Sequence, residues 1–170
     1  MPLAATEALP LLEKAHAQNR LAHAYLVTGP KGAGKKELVL GLCARLLGCT
    51  PEQALAHPDL HSIAPESKSR RITTEQMREL EGKIHIRSLQ GGAKAVLIFD
   101  ADRLVPAAAN AFLKTLEEPP QGTHIFLVSE QPEQLLETIL SRCVQISLSA
   151  TEHPEPTAAE AGVAQLLCTF

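Results

Sequence analysis

The sequence predicts a three-layer α/β domain, a mostly parallel five-stranded sheet with helices on both faces. Three observations lead there. Short apolar runs alternate along the chain with stretches whose apolar residues recur at helical spacing. One of those runs, Ala95-Val96-Leu97-Ile98-Phe99, is continuously apolar, as expected for a parallel strand covered on both faces. A glycine-rich turn, Gly29 to Gly34, joins an apolar run to a helical pattern. At 170 residues the chain is long enough for one domain with its own core.

The elements follow in order. Residues 5–19 read as a helix, with Leu9, Leu12 and Ala15 or His16 on one stripe, Gln18-Asn19 as a polar end and Pro10 expected near the first turn. Ala24-Tyr25-Leu26-Val27-Thr28, bounded by Gly29-Pro30, fits a buried strand. From Lys35 to about Leu47, Leu38, Leu42 and Leu46 recur every four residues, the pattern of a helix lying on a sheet. A second strand is expected at Leu60-His61-Ser62-Ile63-Ala64, followed by a polar, solvated loop from Glu66 to Arg71. Thr73 with Gln76 three residues on is a capping box, and Ile72 with Met77 a hydrophobic staple, so a helix starts there and runs through Leu80 and Ile84. Gly91-Gly92 precede the central strand. Val105, Ala109, Phe112 and Leu116 then form a helical stripe stopped by Pro119-Pro120. His124-Ile125-Phe126-Leu127-Val128, a short helix after Pro132 and a strand near Cys143–Ser147 complete the sheet. Residues 1–150 are therefore read as the domain, and 151–170, with Pro154 and Pro156, as a linker with a stub or the start of a further unit.

Composition excludes several classes. Sixteen basic and nineteen acidic side chains give a net charge of −3, too balanced for a domain that grips nucleic acid alone through counterion release. Aromatic residues are 3%, with no Trp and the single Tyr25, so rings on which to stack unpaired bases are lacking. Apolar runs are too short to span a bilayer and the first residues do not pattern as an export signal, so a cytoplasmic protein is expected. Cys43, Cys49, Cys143 and Cys168 are too scattered for a disulfide framework. Joining Cys43 and Cys49 to His57 and His61 would lack the close Cys-x-x-Cys pair of structural zinc sites, so zinc is not expected.

Gly29-Pro30-Lys31-Gly32-Ala33-Gly34-Lys35-Lys36 fits G-x-x-x-x-G-K, the phosphate loop, between a strand and a helix as the motif requires. Its glycines let successive backbone N–H groups converge on an anion, the helix dipole adds to the attraction, and Lys35 supplies a point charge. The next position should be Ser or Thr, whose hydroxyl binds magnesium; here it is Lys36. An ammonium cannot ligate a metal and repels a divalent cation. The loop can hold a phosphate or sulfate and still be a poor ATPase. The strand that should end on a magnesium-holding acid gives Phe99-Asp100-Ala101-Asp102, in which Asp100 read alone could be that acid and Ala101 a lost glutamate.

These segments, with His57-Pro58-Asp59-Leu60, Asn110-Ala111-Phe112-Leu113-Lys114-Thr115-Leu116-Glu117-Glu118-Pro119-Pro120 and Ser141-Arg142-Cys143, resemble bacterial DNA polymerase III clamp-loader subunits of the AAA+ superfamily. The resemblance covers roughly residues 5–150, and it is to the delta-prime type in particular. Matched to the family without gaps from Lys94 to Asn110, Phe99 falls at the magnesium acid of the ATPase members and Asp100 at their catalytic glutamate, a degenerate Walker B strand. The resemblance thus implies no metal and no cofactor.

It also implies that Ser-Arg-Cys presents an arginine finger, Arg142, to the nucleotide of a neighbouring subunit, and that Ser129 occupies the sensor position after the fourth strand. No intrinsic ATPase is expected of a chain that serves a DNA polymerase holoenzyme in this way. The function implied is that of a non-hydrolysing subunit that helps load the sliding clamp onto primed DNA. Its partners would be the ATPase subunits and the clamp-opening subunit and, indirectly, the clamp and primer-template DNA, with no membrane. The family's four-cysteine zinc knuckle is missing before His57, and its lid and helical collar are not covered, the sequence stopping near the start of the lid as either an excised first domain or a shortened homologue would. The alternative is an active P-loop ATPase or phosphotransferase, with Asp100 or Asp102 holding magnesium despite Lys36. Glu117 and Glu118 break a local rule, since carboxylates in the last helical turn oppose the dipole; a subunit interface or plain solvent exposure would account for them.

Overall fold

The computed structural model describes residues 2–66, 70–88 and 92–150. The elements are α1 (Ala5–Ala17), β1 (Ala24–Thr28), α2 (Lys35–Leu47), α3 (Pro51–Ala54), β2 (Leu60–Ile63), α4 (Thr74–Ile84), β3 (Lys94–Ile98), α5 (Pro106–Glu117), β4 (Thr123–Ser129), α6 (Glu137–Leu140) and β5 (Val144–Ser147). The strands form one 5-stranded sheet in the order β2-β3-β4-β1-β5. Every strand pairing in it is parallel, with Val27 beside Val128, Leu97 beside Phe126 and His61 beside Val96.

Alternation along the inner strands divides the core in two. Tyr25, Val27, Leu97, Phe126 and Val128 face α1 and α2, where Ala8, Leu38 and Leu42 cover them. Leu26, Val96, Ile98, Ile125 and Leu127 face the other way, onto Met77 and Leu80 of α4 and Phe112 and Leu116 of α5. This is the three-layer arrangement expected, and burying each such side chain is worth about 1.5–3 kcal/mol. The Tyr25 and Phe126 rings stack 5.9 Å apart, and the Tyr25 hydroxyl accepts the Ala22 amide at 2.9 Å, so the one tyrosine is a core residue.

Several local expectations needed correction. Pro10 lies inside α1, in its second turn. Both it and Thr6, whose carbonyl loses a donor to the ring, are exposed, so water can take that carbonyl. The helix stops at Ala17 because Asn19 turns left-handed at φ 52, and the Asn19 and Arg20 amides close on the His16 and Ala15 carbonyls at 2.9 and 2.8 Å. The capping box at Thr73 is present, with the Gln76 amide donating to Thr73 Oγ1 at 3.3 Å and the Thr73 amide to Gln76 Oε1 at 3.0 Å. A second box, Thr50 with Gln53 and Pro51 at the first position, starts the short α3, which periodicity does not reveal.

The central strand begins one residue earlier than its apolar run and ends at Ile98. Lys94 enters the sheet 5% exposed, its ammonium donating to the carbonyls of Ile84 and, at 2.8 Å, Ile86 at the end of α4. That capping role offsets the cost of burying a charge. Part of the loop expected at Glu66–Arg71, the turn at Gly91 and all of 151–170 lie outside the described residues.

Candidate phosphate loop and arginine site

In a parallel sheet the loops after the strands gather at one edge. Because β1, β4 and β3 are successive neighbours, that edge brings together the glycine-rich turn after β1, Glu130 after β4, and Phe99 and Asp100 after β3. A cleft of about 660 Å³ lies between them, lined by Lys31, Gly32, Gly34, Lys35, Lys36, Glu37, Phe99, Asp100, Val128 and Glu130.

The turn has the geometry the glycines predict. Gly29, Gly32 and Gly34 take φ of 151, 81 and 76, a region that L side chains rarely adopt. Two of them also serve close approach. A Cβ on Gly29 would lie 2.7 Å from the Leu148 carbonyl oxygen, and one on Gly34 2.9 Å from the Ala5 Cβ. Ala33 is buried under the turn and its amide returns to the Pro30 carbonyl at 3.2 Å.

Lys35, the first residue of α2, is 8% exposed. Its ammonium donates to the carbonyls of Gly29 at 2.8 Å and Pro30 at 2.6 Å, and lies 3.5 Å from a Glu130 carboxylate oxygen. The charge that would meet a phosphate is thus held by the loop's own oxygens and by an acid that sequence analysis did not single out. Lys36 is exposed and turns across the cleft mouth to Phe99, its Nζ 5.5 Å from the ring centroid. The two residues that the sequence reading set against a hydroxyl and an acid therefore meet each other. A contact of this kind is worth about 0.5–1 kcal/mol at an exposed site.

The remaining acids separate. Asp100 is left-handed at φ 48 and lines the cleft. Burial, then Asp102 and Glu130, push its carboxyl above the usual range, against Arg103 and Lys35. Asp102 does not line the cleft: its Oδ1 accepts the Ser129 hydroxyl at 2.6 Å and the Glu130 amide at 3.3 Å, and its Oδ2 lies 3.4 Å from Arg103 Nε. Ser129 is fully buried in that contact and also accepts the Gln131 amide at 3.1 Å. Among the described residues no cluster of three His, Cys, Asp or Glu side chains could hold a metal ion.

Arg142 stands elsewhere. It precedes β5, whose Val144 pairs with Tyr25 near the start of β1 and whose Ser147 pairs with Thr28 at its end. The arginine is therefore at the sheet edge opposite the cleft. Its Nε donates to Glu117 Oε1 at 2.9 Å and its Nη2 to the same oxygen, while Nη1 reaches the Thr138 carbonyl at 2.8 Å and Ser141 Oγ at 3.3 Å. This pair balances Glu117 at the end of α5, so the broken dipole rule has a partner after all.

The parallel α/β order agrees with comparison to known proteins. Residues 4–152 match the family described as DNA polymerase III, delta subunit. The chain belongs to that family. It is 39% identical over 135 residues to DNA polymerase III subunit delta' of Escherichia coli K12, covering 71% of this chain and 40% of that one. A DNA polymerase III gamma-subunit-related protein of Thermotoga maritima superposes with a TM-score of 0.68 at 26% identity, over 88% of this chain and 47% of that one. The RuvB Holliday junction branch migration motor of the same organism, with a TM-score of 0.53 at 19% identity over 85% of this chain and 43% of that one, shows the shared fold alone. The three-layer AAA+ fold read from the sequence is thus the fold observed, and the delta-prime kinship holds. The chain spans 40–44% of the length of the first delta-prime relatives it matches.

Proposed function

We propose that this member of the family works as a non-hydrolysing subunit of the DNA polymerase III clamp loader, helping to place the sliding clamp on primed DNA while a neighbouring subunit burns the ATP. The contact of Lys36 with Phe99 carries this reading. Magnesium between phosphates needs oxygen ligands, and these two positions offer an ammonium and a benzyl group. The residues present do not fit a magnesium nucleotide, so no step of hydrolysis runs through this cleft. With Lys35 tied to its own loop, the cleft is at most a holder of phosphate or sulfate, and no cofactor is assigned.

Arg142 supports the other half. A guanidinium at the sheet edge away from its own loop can serve only a nucleotide brought by another chain, and its permanent charge and forked N–H groups suit phosphate oxygens. A finger of that kind contributes about 10³-fold or more to phosphoryl transfer. The partners are then the ATPase subunits and the clamp-opening subunit, with the clamp and primer-template DNA reached through the assembled ring. The cytoplasm is the matching compartment, and no described helix is long and apolar enough to cross a membrane. In a reconstituted clamp loader, Arg142→Ala should depress DNA-stimulated ATP turnover by at least tenfold, with assembly unchanged by gel filtration. Undiminished turnover would remove the trans role.

A further inference from the structure

We infer that Glu117 is a positioning residue for Arg142: it occupies the guanidinium edge that would otherwise fork a phosphate, and so restrains the finger until a neighbour's nucleotide competes for it. The inference rests on the trans role proposed above. A guanidinium carries five N–H groups, and its side edge, Nε–H with one Nη2–H, is one of those that pair two-pronged with carboxylates and phosphates. Here both of those donors converge on the one Glu117 oxygen. The Thr138 carbonyl takes Nη1 from the far side, and Ser141 Oγ, itself donating to Thr138 at 3.1 Å, stands 3.3 Å from Nη1. The arginine is thus aimed and occupied at once.

Exposure keeps the restraint weak. The Glu117 side chain is 49% exposed and that of Arg142 32%. Exposed pairs hold about as tightly as thermal energy, which suits a contact meant to be exchanged. Glu117 also ends α5, where a carboxylate is disfavoured by the helix dipole, so the pair is the compensation for its position. Phosphate on a neighbouring subunit need only outbid one carboxylate, while the Thr138 and Ser141 contacts keep the stem in place.

The test is ATP hydrolysis by the clamp loader reconstituted with this subunit, measured against ATP concentration for wild type, Glu117→Gln, Arg142→Ala and the double variant. Glutamine keeps the length and an acceptor oxygen but drops the charge. A restraint inside the assembled ring persists at saturating ATP and lowers kcat/KM by the fraction of fingers held back. Glu117→Gln should therefore raise kcat/KM for ATP by about two- to fivefold, the span of an exposed ion pair. The gain should vanish in the Arg142→Ala background. A merely structural Glu117 would shift the thermal midpoint of the subunit and not kcat/KM. If Arg142→Ala lowers turnover while Glu117→Gln leaves kcat/KM unchanged or lower, the restraint is overturned and the finger stands. If Arg142→Ala has no effect, both fall.

Discussion

On the function proposed, supplying oxygen donors at Lys36 and Phe99 should create a magnesium-dependent nucleotide site. Lys36→Thr replaces the ammonium by a hydroxyl, and Phe99→Asp replaces the ring by a carboxylate. The size of the first effect follows from charge and distance. A divalent ion seated where the Phe99 ring now lies would be about 5.5 Å from the Lys36 ammonium. Their repulsion is about 1.5 kcal/mol in water and about 6 kcal/mol at an effective dielectric of about 20. The cleft is open to solvent, so the lower figure governs, and each 1.4 kcal/mol is about tenfold in affinity. Fluorescent nucleotide titrated with and without magnesium should show no metal-dependent tightening for the wild type, about tenfold for Lys36→Thr, and more for the pair of substitutions. Circular dichroism checks that Phe99→Asp, which removes a half-buried ring, still folds. A wild type whose nucleotide affinity rises with magnesium as much as the double variant's would refute the reasoning, and would favour an active P-loop enzyme with Asp100 as the metal acid.

Two predictions concern the scaffold. Phe112→Ala empties a fully buried site between α5 and the sheet, and should cost about 3–5 kcal/mol in urea unfolding; a loss under about 1 kcal/mol would mean that α5 packs differently. Burial pushes the Cys43 thiol to about 12 and that of Cys143 to about 11, so in a Cys168→Ser background at pH 8 a thiol reagent should label Cys49 well ahead of both, and early labelling of Cys43 by mass spectrometry would contradict its burial.

What the sequence makes legible is local. Each inner strand is a short apolar run between turn residues, and the Thr73 box marks a helix start with its own side chains, so these elements need no tertiary knowledge. The offset of β3 arises because Lys94, a charge by composition, is buried with its ammonium on the end of α4. α3 is four residues, too short for any period to register, although its Thr50–Gln53 box was there to be found. The pairings that decide chemistry are beyond sequence reach: Lys35 meets Glu130 across 95 positions and Arg142 meets Glu117 across 25. Of these, only Glu117 left a trace, as a carboxylate at the wrong end of a helix.

A glycine-rich loop proposed not to take a magnesium nucleotide still has reasons to keep its shape. Gly29 lies under the Leu148 carbonyl, whose own amide donates to Thr28 at 2.7 Å, and Gly34 lies under Ala5 at the start of α1. Leu3 bridges to Leu148 as well, so the beginning of the described chain, the end of β5 and the turn after β1 meet at one point. A side chain at either glycine would push these segments apart whether or not an anion is bound. The motif is therefore overdetermined: its glycines answer to packing whatever the loop binds, so the proposed absence of a metal site is read from Lys36 and Phe99 and not from the glycines.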